Sequence, residues 1–139
     1  MTLRFLLDTT TISEPIATEP NRKVIQRLDQ NGIYCALPAP VWHELVYGFS
    51  RLPEGKRRAA LGEYLQAVVR ASFPVLPYDE AAAAWHGKER ARLDALGTKA
   101  PYVDGQIASV ARTQNLVLVT SNPKHFAQFE GLTVVNWKT

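Results

Sequence analysis

The sequence predicts an α/β fold: a three-layer α/β/α sandwich with a mainly parallel central sheet. Short apolar runs alternate along the chain with segments whose apolar residues recur at helical spacing. The first run, Phe5 to Leu7, stops directly on an acidic residue, Asp8. Open parallel sheets bind ligands at the carboxyl ends of their strands, so this pattern also indicates where the chemistry lies. We expect one domain that spans residues 1–139.

Composition limits the classes of protein to consider. The chain has 139 residues, 46% of them hydrophobic, which suits a globular domain and excludes collagen-like or disordered architectures. No apolar run approaches the roughly 18 residues of a membrane span, and the N-terminus lacks signal-peptide features. A cytoplasmic protein without a membrane partner is therefore expected. The net charge of +3 suits a polyanionic partner, and the single Cys35 is expected to be a buried apolar side chain.

The first half of the chain predicts a β-α-β unit followed by two helices. Val24, Ile25 and Leu28 recur at helical spacing, and residues 33–37 form the next apolar run. Pro40 favours the start of a helix over about residues 41–52, which is followed by another over about 56–71. The residues that we expect to face inward on these two helices are Val41, Trp42, Leu45, Val46, Phe49, Leu61, Leu65 and Val68.

The second half predicts two or three strands and two longer helices. Asp79 is a suitable N-cap for a helix that ends near Leu96, with Gly97 just beyond it, and Pro101 opens a further helix. Strands are expected at residues 116–119 and 132–135, with a short helical segment after Pro123. Residues 74–77 leave room for a small strand at most, so the sheet has four or five strands. The residues expected to face inward on the two helices are Trp85, Leu93, Leu96, Val103, Ile107, Val110 and Ala111, together with His86 and Glu89 as satisfied interior polar groups.

Two acidic residues stand where an apolar environment makes a carboxylate costly. Asp8 follows a buried strand, and the hydroxyls of the residues after it crowd around its position; the alternative is a turn that merely ends the strand. Asp104 shares a helix face with Ile107, Ala108 and Ala111. An acid in the first helical turn also favours the helix dipole, but burial of an unpaired carboxylate is unfavourable and a cation is the usual remedy.

Two further polar residues can reach the same place. Glu44 lies at the rim of an apolar helix face, and Asn122 follows the strand at residues 116–119. The carboxyl ends of parallel strands lie on one side, so Asp8, Glu44, Asp104 and Asn122 can converge on one crevice. Such a set of oxygen ligands suits Mg²⁺ or Mn²⁺ and metal-assisted phosphodiester hydrolysis. His43 and His125 are not expected to be ligands.

These motifs, in this order and spacing, resemble a PIN-domain protein of the VapC and FitB type. The matching segments are Leu6 to Thr9, Glu44 in its helix, residues 101–108, residues 118–122, Phe126 and the closing segment 131–137. The resemblance implies a Mg²⁺-dependent endoribonuclease, usually a homodimer. It also implies that the protein is the toxin of a type II toxin–antitoxin pair, held inactive by a cognate antitoxin that covers the site.

The same resemblance assigns roles to individual residues. Asp8, Glu44 and Asp104 match the metal-binding acids, and Asn122 stands where many members have a fourth Asp. The supporting positions next to these acids are Thr9, Ser13 and Thr120. Asn122 is thus one departure from the family's usual sequence. Thr10 is a second, because it stands where an Asn commonly follows the Asp-Thr pair. Asn122 brings no charge, so a second metal is expected to bind more weakly.

Three functions are compatible with this sequence. The leading interpretation is an RNA-cleaving enzyme in which Lys99 and Lys124, which flank two of the site segments, contact the RNA backbone. The alternative is a catalytically weak module that retains the fold and binds nucleic acid or an antitoxin, although the three acids argue against it. A small-molecule phosphatase would need a dedicated pocket.

Overall fold

A computed structural model describes residues 2–139, so Met1 of the predicted domain lies outside the described part. Its centre is a five-stranded sheet in which every neighbouring pair of strands is parallel. The strands are β1 (Phe5–Leu7), β2 (Cys35–Pro38), β3 (Val75–Leu76), β4 (Val117–Val119) and β5 (Val134–Val135). Their order is β3-β2-β1-β4-β5, which places β1 in the middle. Asp8 therefore emerges at the centre of the carboxyl edge.

Helices flank the sheet and confirm the predicted three-layer α/β class. The α-helices are α1 (Thr9–Ile12), α2 (Arg22–Asn31), α3 (Ala39–Ser50), α4 (Lys56–Glu63), α5 (Glu80–Ala95) and α6 (Tyr102–Thr113). A π-helical segment, Tyr64–Arg70, continues α4, and the 3₁₀ segments are Glu14–Ile16, Gly32–Tyr34 and Pro123–Phe126. Among residues 2–139, no helix combines the length and the apolarity that crossing a membrane requires.

The ends of α5 follow the predicted signals. The Asp79 carboxylate accepts a hydrogen bond of 2.9 Å from the backbone N–H of Ala82, which caps the N-terminus. At the other end, Gly97 adopts a positive φ of 75°, and Thr98 donates its N–H to the Leu93 carbonyl at 2.9 Å. This left-handed turn satisfies carbonyls of the last helical turn and favours glycine. Both predicted boundaries are confirmed.

The core is built from the central strands and the helix faces that cover them. Strands buried on both faces are expected to be continuous apolar runs, and Leu6, Leu7, Leu118 and Val119 are fully buried. Cys35 is buried as predicted, and burial raises the pKa of its thiol to about 12. The thiol donates a hydrogen bond to the Asn31 carbonyl, so it is a protonated, unreactive part of the core.

Several predicted inward positions are wrong, and the reasons are local. Val68 is 42% exposed whereas Val69 is fully buried, because the π-helical segment has wider turns and rotates the apolar face by about one residue. Leu96 is 66% exposed because it lies beyond the last residue of α5. Val46 and Val103 are also exposed, at the margin of the α3 stripe and in the first turn of α6.

The second strand is shorter than predicted. The apolar run at residues 33–37 begins as a 3₁₀ segment, and Ile33 is largely exposed. The strand itself begins at Cys35, where pairing with Phe5 of β1 starts.

Candidate metal centre

Two strand ends meet at Asp8. Leu7 of β1 pairs with Val119 of β4, so Asp8 and Thr120 are the next residues along the two chains. The Asp8 N–H continues the ladder by donating to the Val119 carbonyl at 3.0 Å. The Thr120 hydroxyl donates to Asp8 Oδ2 at 2.8 Å, and the Thr9 N–H donates to Asp8 Oδ1 at 2.7 Å. Each carboxylate oxygen is therefore fixed by one donor and keeps a lone pair for another partner.

The loop after β4 is fastened to α1 through hydroxyl groups. The Thr10 hydroxyl accepts a hydrogen bond of 3.1 Å from the Ser121 N–H and lies 3.5 Å from the Thr120 hydroxyl. The Thr120 hydroxyl also accepts from the Asn122 N–H at 3.1 Å. Thr10, which departs from the family pattern, thus helps to hold the hydroxyl that orients Asp8.

The other predicted supporting residues contribute differently. Thr9 supports Asp8 through its backbone N–H. Ser13 is the C-cap of α1, and its N–H donates to the Thr9 carbonyl at 3.0 Å. Within the described residues, neither the Thr9 hydroxyl nor the Ser13 hydroxyl donates a hydrogen bond to Asp8. The supporting role of the Ser13 hydroxyl stays a prediction.

Asp104 lies in the first turn of α6 with its side chain half-buried. Its pKa is raised above the ordinary value, first by burial and then by the negative charge of Asp8, while His125 acts in the opposite direction. Hydrogen bonds and ion pairs to the Asp104 carboxylate are absent from residues 2–139, so Asp104 faces Asp8 without a compensating donor. The sequence analysis does not predict that His125 acts on Asp104. The only signal for it is that His125 lies three residues after Asn122 in the chain.

Glu44 and Asn122 are both exposed. Glu44 lies in the second turn of α3 and lines an open depression of about 390 Å³ with Val103 and Gln106 of α6. Asn122 follows β4 and precedes the 3₁₀ segment Pro123–Phe126. Within residues 2–139, no three Asp, Glu, His or Cys side chains form a group that could hold a metal ion. The structure thus brings Asp8 and Asp104 together, and the predicted convergence of Glu44 and Asn122 on them stays a prediction.

The two lysines predicted to contact RNA are both exposed at the surface. Lys99 is exposed and lines an open cavity of about 320 Å³, together with Arg90 and the ring of Phe129. Lys124 is exposed in the 3₁₀ segment that follows Asn122. Their contact with RNA stays a prediction.

The predicted interior polar groups are buried and satisfied. His86 and Glu89 are 5% and 6% exposed. The Nδ1 atom of His86 and the Tyr78 hydroxyl share a hydrogen bond of 2.9 Å. Glu89 accepts hydrogen bonds from Arg92 and from the backbone N–H of Glu130. Both predictions are confirmed.

Comparison with known proteins assigns the chain to a family. A family model described as PIN domain matches residues 5–132, and the chain belongs to that family. Its relatives include Toxin FitB of Neisseria gonorrhoeae, which is 33% identical over 126 residues, 87% of this chain and 89% of that protein. The tRNA(fMet)-specific endonuclease VapC of Shigella flexneri is 31% identical over 135 residues, 97% of this chain and 98% of that protein.

Solved structures agree with this assignment. The crystal structure of FitAcB from Neisseria gonorrhoeae has a chain that matches with a TM-score of 0.87 and 32% identity, over 96% of this chain and 97% of that one. The resemblance to VapC and FitB proteins predicted from the sequence is therefore confirmed.

Proposed function

We propose that this protein is a divalent-metal-dependent endoribonuclease and the toxin of a type II toxin–antitoxin pair. The observation that carries the proposal is the opposition of Asp104 and Asp8. A half-buried carboxylate without a hydrogen-bond donor, next to a second carboxylate, is unfavourable unless a cation binds between them. Its neighbours in the family have names that agree with this chemistry, since one is an endonuclease specific for tRNA(fMet).

The donor set fits a hard cation. Asp8 and Asp104 would hold Mg²⁺ or Mn²⁺, both of which prefer carboxylate oxygens. Glu44, on a long exposed side chain across the depression from Val103, is the proposed third ligand, and Asn122 would add a neutral oxygen. A bound cation would supply Lewis-acid chemistry for phosphodiester hydrolysis.

The other residues of the site have supporting tasks. Thr120 holds Asp8 in one orientation through its hydroxyl, and Thr10 ties the loop that carries Thr120 and Ser121 to α1. Lys99 and Lys124, which are both exposed, would neutralise backbone phosphates of the RNA. Asn122 keeps the local negative charge low, which favours one metal over two.

The same family supports a proposal about partners. The relative from Neisseria gonorrhoeae is named Toxin FitB, and the solved structural neighbours include FitAB bound to a DNA fragment and DNA-bound VapBC from Salmonella typhimurium. We propose that this chain likewise binds a cognate antitoxin and forms a homodimer. Co-purification with the product of an adjacent short reading frame, followed by measurement of the mass of the complex, tests both partners.

Cleavage of end-labelled RNA by the purified protein, with and without Mg²⁺, tests the activity. We expect metal-dependent cleavage, and a loss of at least about 100-fold in Asp104→Asn, equivalent to about 2.7 kcal/mol of transition-state stabilisation. Asp29→Asn, an exposed acid on α2, is the matched control and should cleave like the parent. RNA binding without cleavage would support the binding-module alternative, and hydrolysis of a nucleoside monophosphate in place of RNA would support a phosphatase.

A further inference from the structure

The imidazole of His86 fills a space that an ordinary side chain on α6 would occupy. A Cβ atom built on Gly105 would overlap His86 Nε2, and would lie 2.7 Å from Cδ2 and 2.9 Å from Cε1. Gly105 has ordinary helical backbone geometry, so glycine is required there for space and not for conformation. One edge of the His86 ring thus packs directly against the backbone of α6.

The ring is held from its other side as well. His86 Nδ1 shares a hydrogen bond with the Tyr78 hydroxyl, and the Tyr78 ring meets the imidazole edge-on at a centroid distance of 5.9 Å. The Tyr102 ring, in the first turn of α6, lies 5.0 Å from the imidazole centroid. With His86 almost fully buried, these contacts leave the ring little freedom to move.

The contact lies at the turn of α6 that carries a proposed metal ligand. Gly105 follows Asp104 directly, so the distance between α5 and α6 at Gly105 also sets how far the Asp104 carboxylate lies from Asp8. We propose that His86 is a positioning residue: it acts as a spacer against Gly105 and holds Asp104 opposite Asp8. This role rests on the proposed function, because its consequence is the affinity of that site for a divalent cation.

A double-mutant cycle tests the spacer. Gly105→Ala introduces a methyl group into the space that the His86 imidazole fills, and should push the first turn of α6 away from α5. His86→Ala removes the spacer and should let that turn move towards α5. The double variant H86A/G105A places the new methyl group in the vacated space. We expect each single variant to bind Mn²⁺ more weakly than the parent, by at least about tenfold for Gly105→Ala, and the double variant to regain most of the loss.

Matched controls separate positioning from general destabilisation. Gly87→Ala, on the same helix as His86, adds its methyl group where no atom lies within 4 Å, and should leave both the melting temperature and Mn²⁺ affinity near those of the parent. Val24→Ala, in the buried face of α2, should lower the melting temperature without changing Mn²⁺ affinity. The conservative variant His86→Gln places an amide near the Nε2 position and should bind Mn²⁺ within about threefold of the parent.

Isothermal titration with Mn²⁺ measures the affinity of the parent and all six variants, and thermal melts measure their stability. Together they test the role of His86. Strong coupling between positions 86 and 105, in Mn²⁺ affinity as well as in melting temperature, supports the proposal. Suppose that the parent binds Mn²⁺ but that Gly105→Ala and His86→Ala bind it as tightly as the parent, or that their effects simply add in the double variant. Either result overturns the role of His86 and leaves the proposed function standing. A parent that binds no Mn²⁺ contradicts the proposed function and, with it, this role.

Discussion

Glu89 on α5 and Asp104 on α6 are carboxylates on adjacent helices in opposite electrostatic environments. Glu89 accepts hydrogen bonds from Arg92 Nε at 2.7 Å, Arg92 Nη2 at 2.8 Å and the Glu130 N–H at 2.6 Å. The Arg92 hydrogen bonds are the largest of the effects that lower the pKa of Glu89. Asp104 has no such donor in the described residues, and burial is the main reason that its pKa is raised.

This difference separates an acid that stabilises the fold from one that is available to a ligand. Arg92 also donates to the Gln128 carbonyl at 3.0 Å, so Glu89 and Arg92 together fasten α5 to the segment before β5. A charge that is buried with its donors is compensated within the protein, whereas a buried charge without donors is unfavourable unless a cation compensates it. The two acids should therefore respond in opposite ways to the same change.

The largest expected effect is on stability. Glu89→Gln removes the charge from a bidentate pair and replaces one acceptor oxygen by an amide N–H₂ donor that faces the donors of Arg92 and Glu130, which should cost about 2 kcal/mol, allowing for the partial exposure of Arg92. Asp104→Asn relieves repulsion by Asp8 and should leave the metal-free protein at least as stable as the parent. Urea unfolding without metal measures both free energies. A loss for Asp104→Asn as large as that for Glu89→Gln would make Asp104 a structural acid.

The pH dependence should differ in sign. The pKa of Glu89 is lowered from its ordinary 4.5, so its stabilisation is complete above pH 4.5 and is lost as the pH falls through the lowered value. The pKa of Asp104 is raised from 3.8, so its ionised form destabilises the fold at higher pH, and this penalty disappears as the pH falls through the raised value.

Unfolding free energies of the parent and both variants, measured without metal from pH 7 to about pH 3, test these signs. At pH 7 the parent should be more stable than Glu89→Gln and no more stable than Asp104→Asn, and each difference should shrink as the pH falls. Two differences of the same sign would mean that the environments of the two acids do not differ in the way described.

A smaller effect is expected where RNA meets the surface. Replacement of Lys99 and Lys124 by Ala should reduce the slope of log binding constant against log salt by about 1.4, because each lost phosphate contact on single-stranded RNA removes about 0.7. Filter binding over a range of salt concentrations, in the Asp104→Asn background to prevent cleavage, measures the slope. The control is Lys56→Ala at the start of α4. An unchanged slope in the double variant would mean that Lys99 and Lys124 are solvated surface residues that do not contact the RNA.

Local signals predicted the elements of the fold and their ends well. The Asp79 cap, the left-handed Gly97 and the stop of β1 at Asp8 each depend on a few consecutive residues, and the structure confirms them. The orientation of Val68 could not be predicted in this way, because residues 64–70 carry no sequence signal that indicates a π-helical turn. A helical period extended through that segment therefore selects the wrong valine.

The site was predicted as a set of residues more readily than as an arrangement. The parallel sheet predicted that Asp8 and Asn122 emerge at one edge, and the structure places Asp8 and Thr120 directly after paired residues of β1 and β4. The supporting role of Thr120 was implied only by the resemblance to the family. The fit of His86 against Gly105 depends on the distance between two helices, which no single segment encodes. Glu44 has a long exposed side chain, so packing does not fix its position relative to Asp8 and Asp104.

Calorimetric titration of Mg²⁺ into the parent, Asp104→Asn and the control Asp29→Asn tests directly whether the paired acids form a metal site. The parent and Asp29→Asn should bind Mg²⁺ with equal affinity, and Asp104→Asn at least about tenfold more weakly. At a concentration 100 times the dissociation constant, Mg²⁺ should stabilise the parent by about 2.7 kcal/mol and Asp104→Asn by clearly less. Equal Mg²⁺ affinities in the parent and Asp104→Asn would contradict the assignment of Asp104 as a metal ligand.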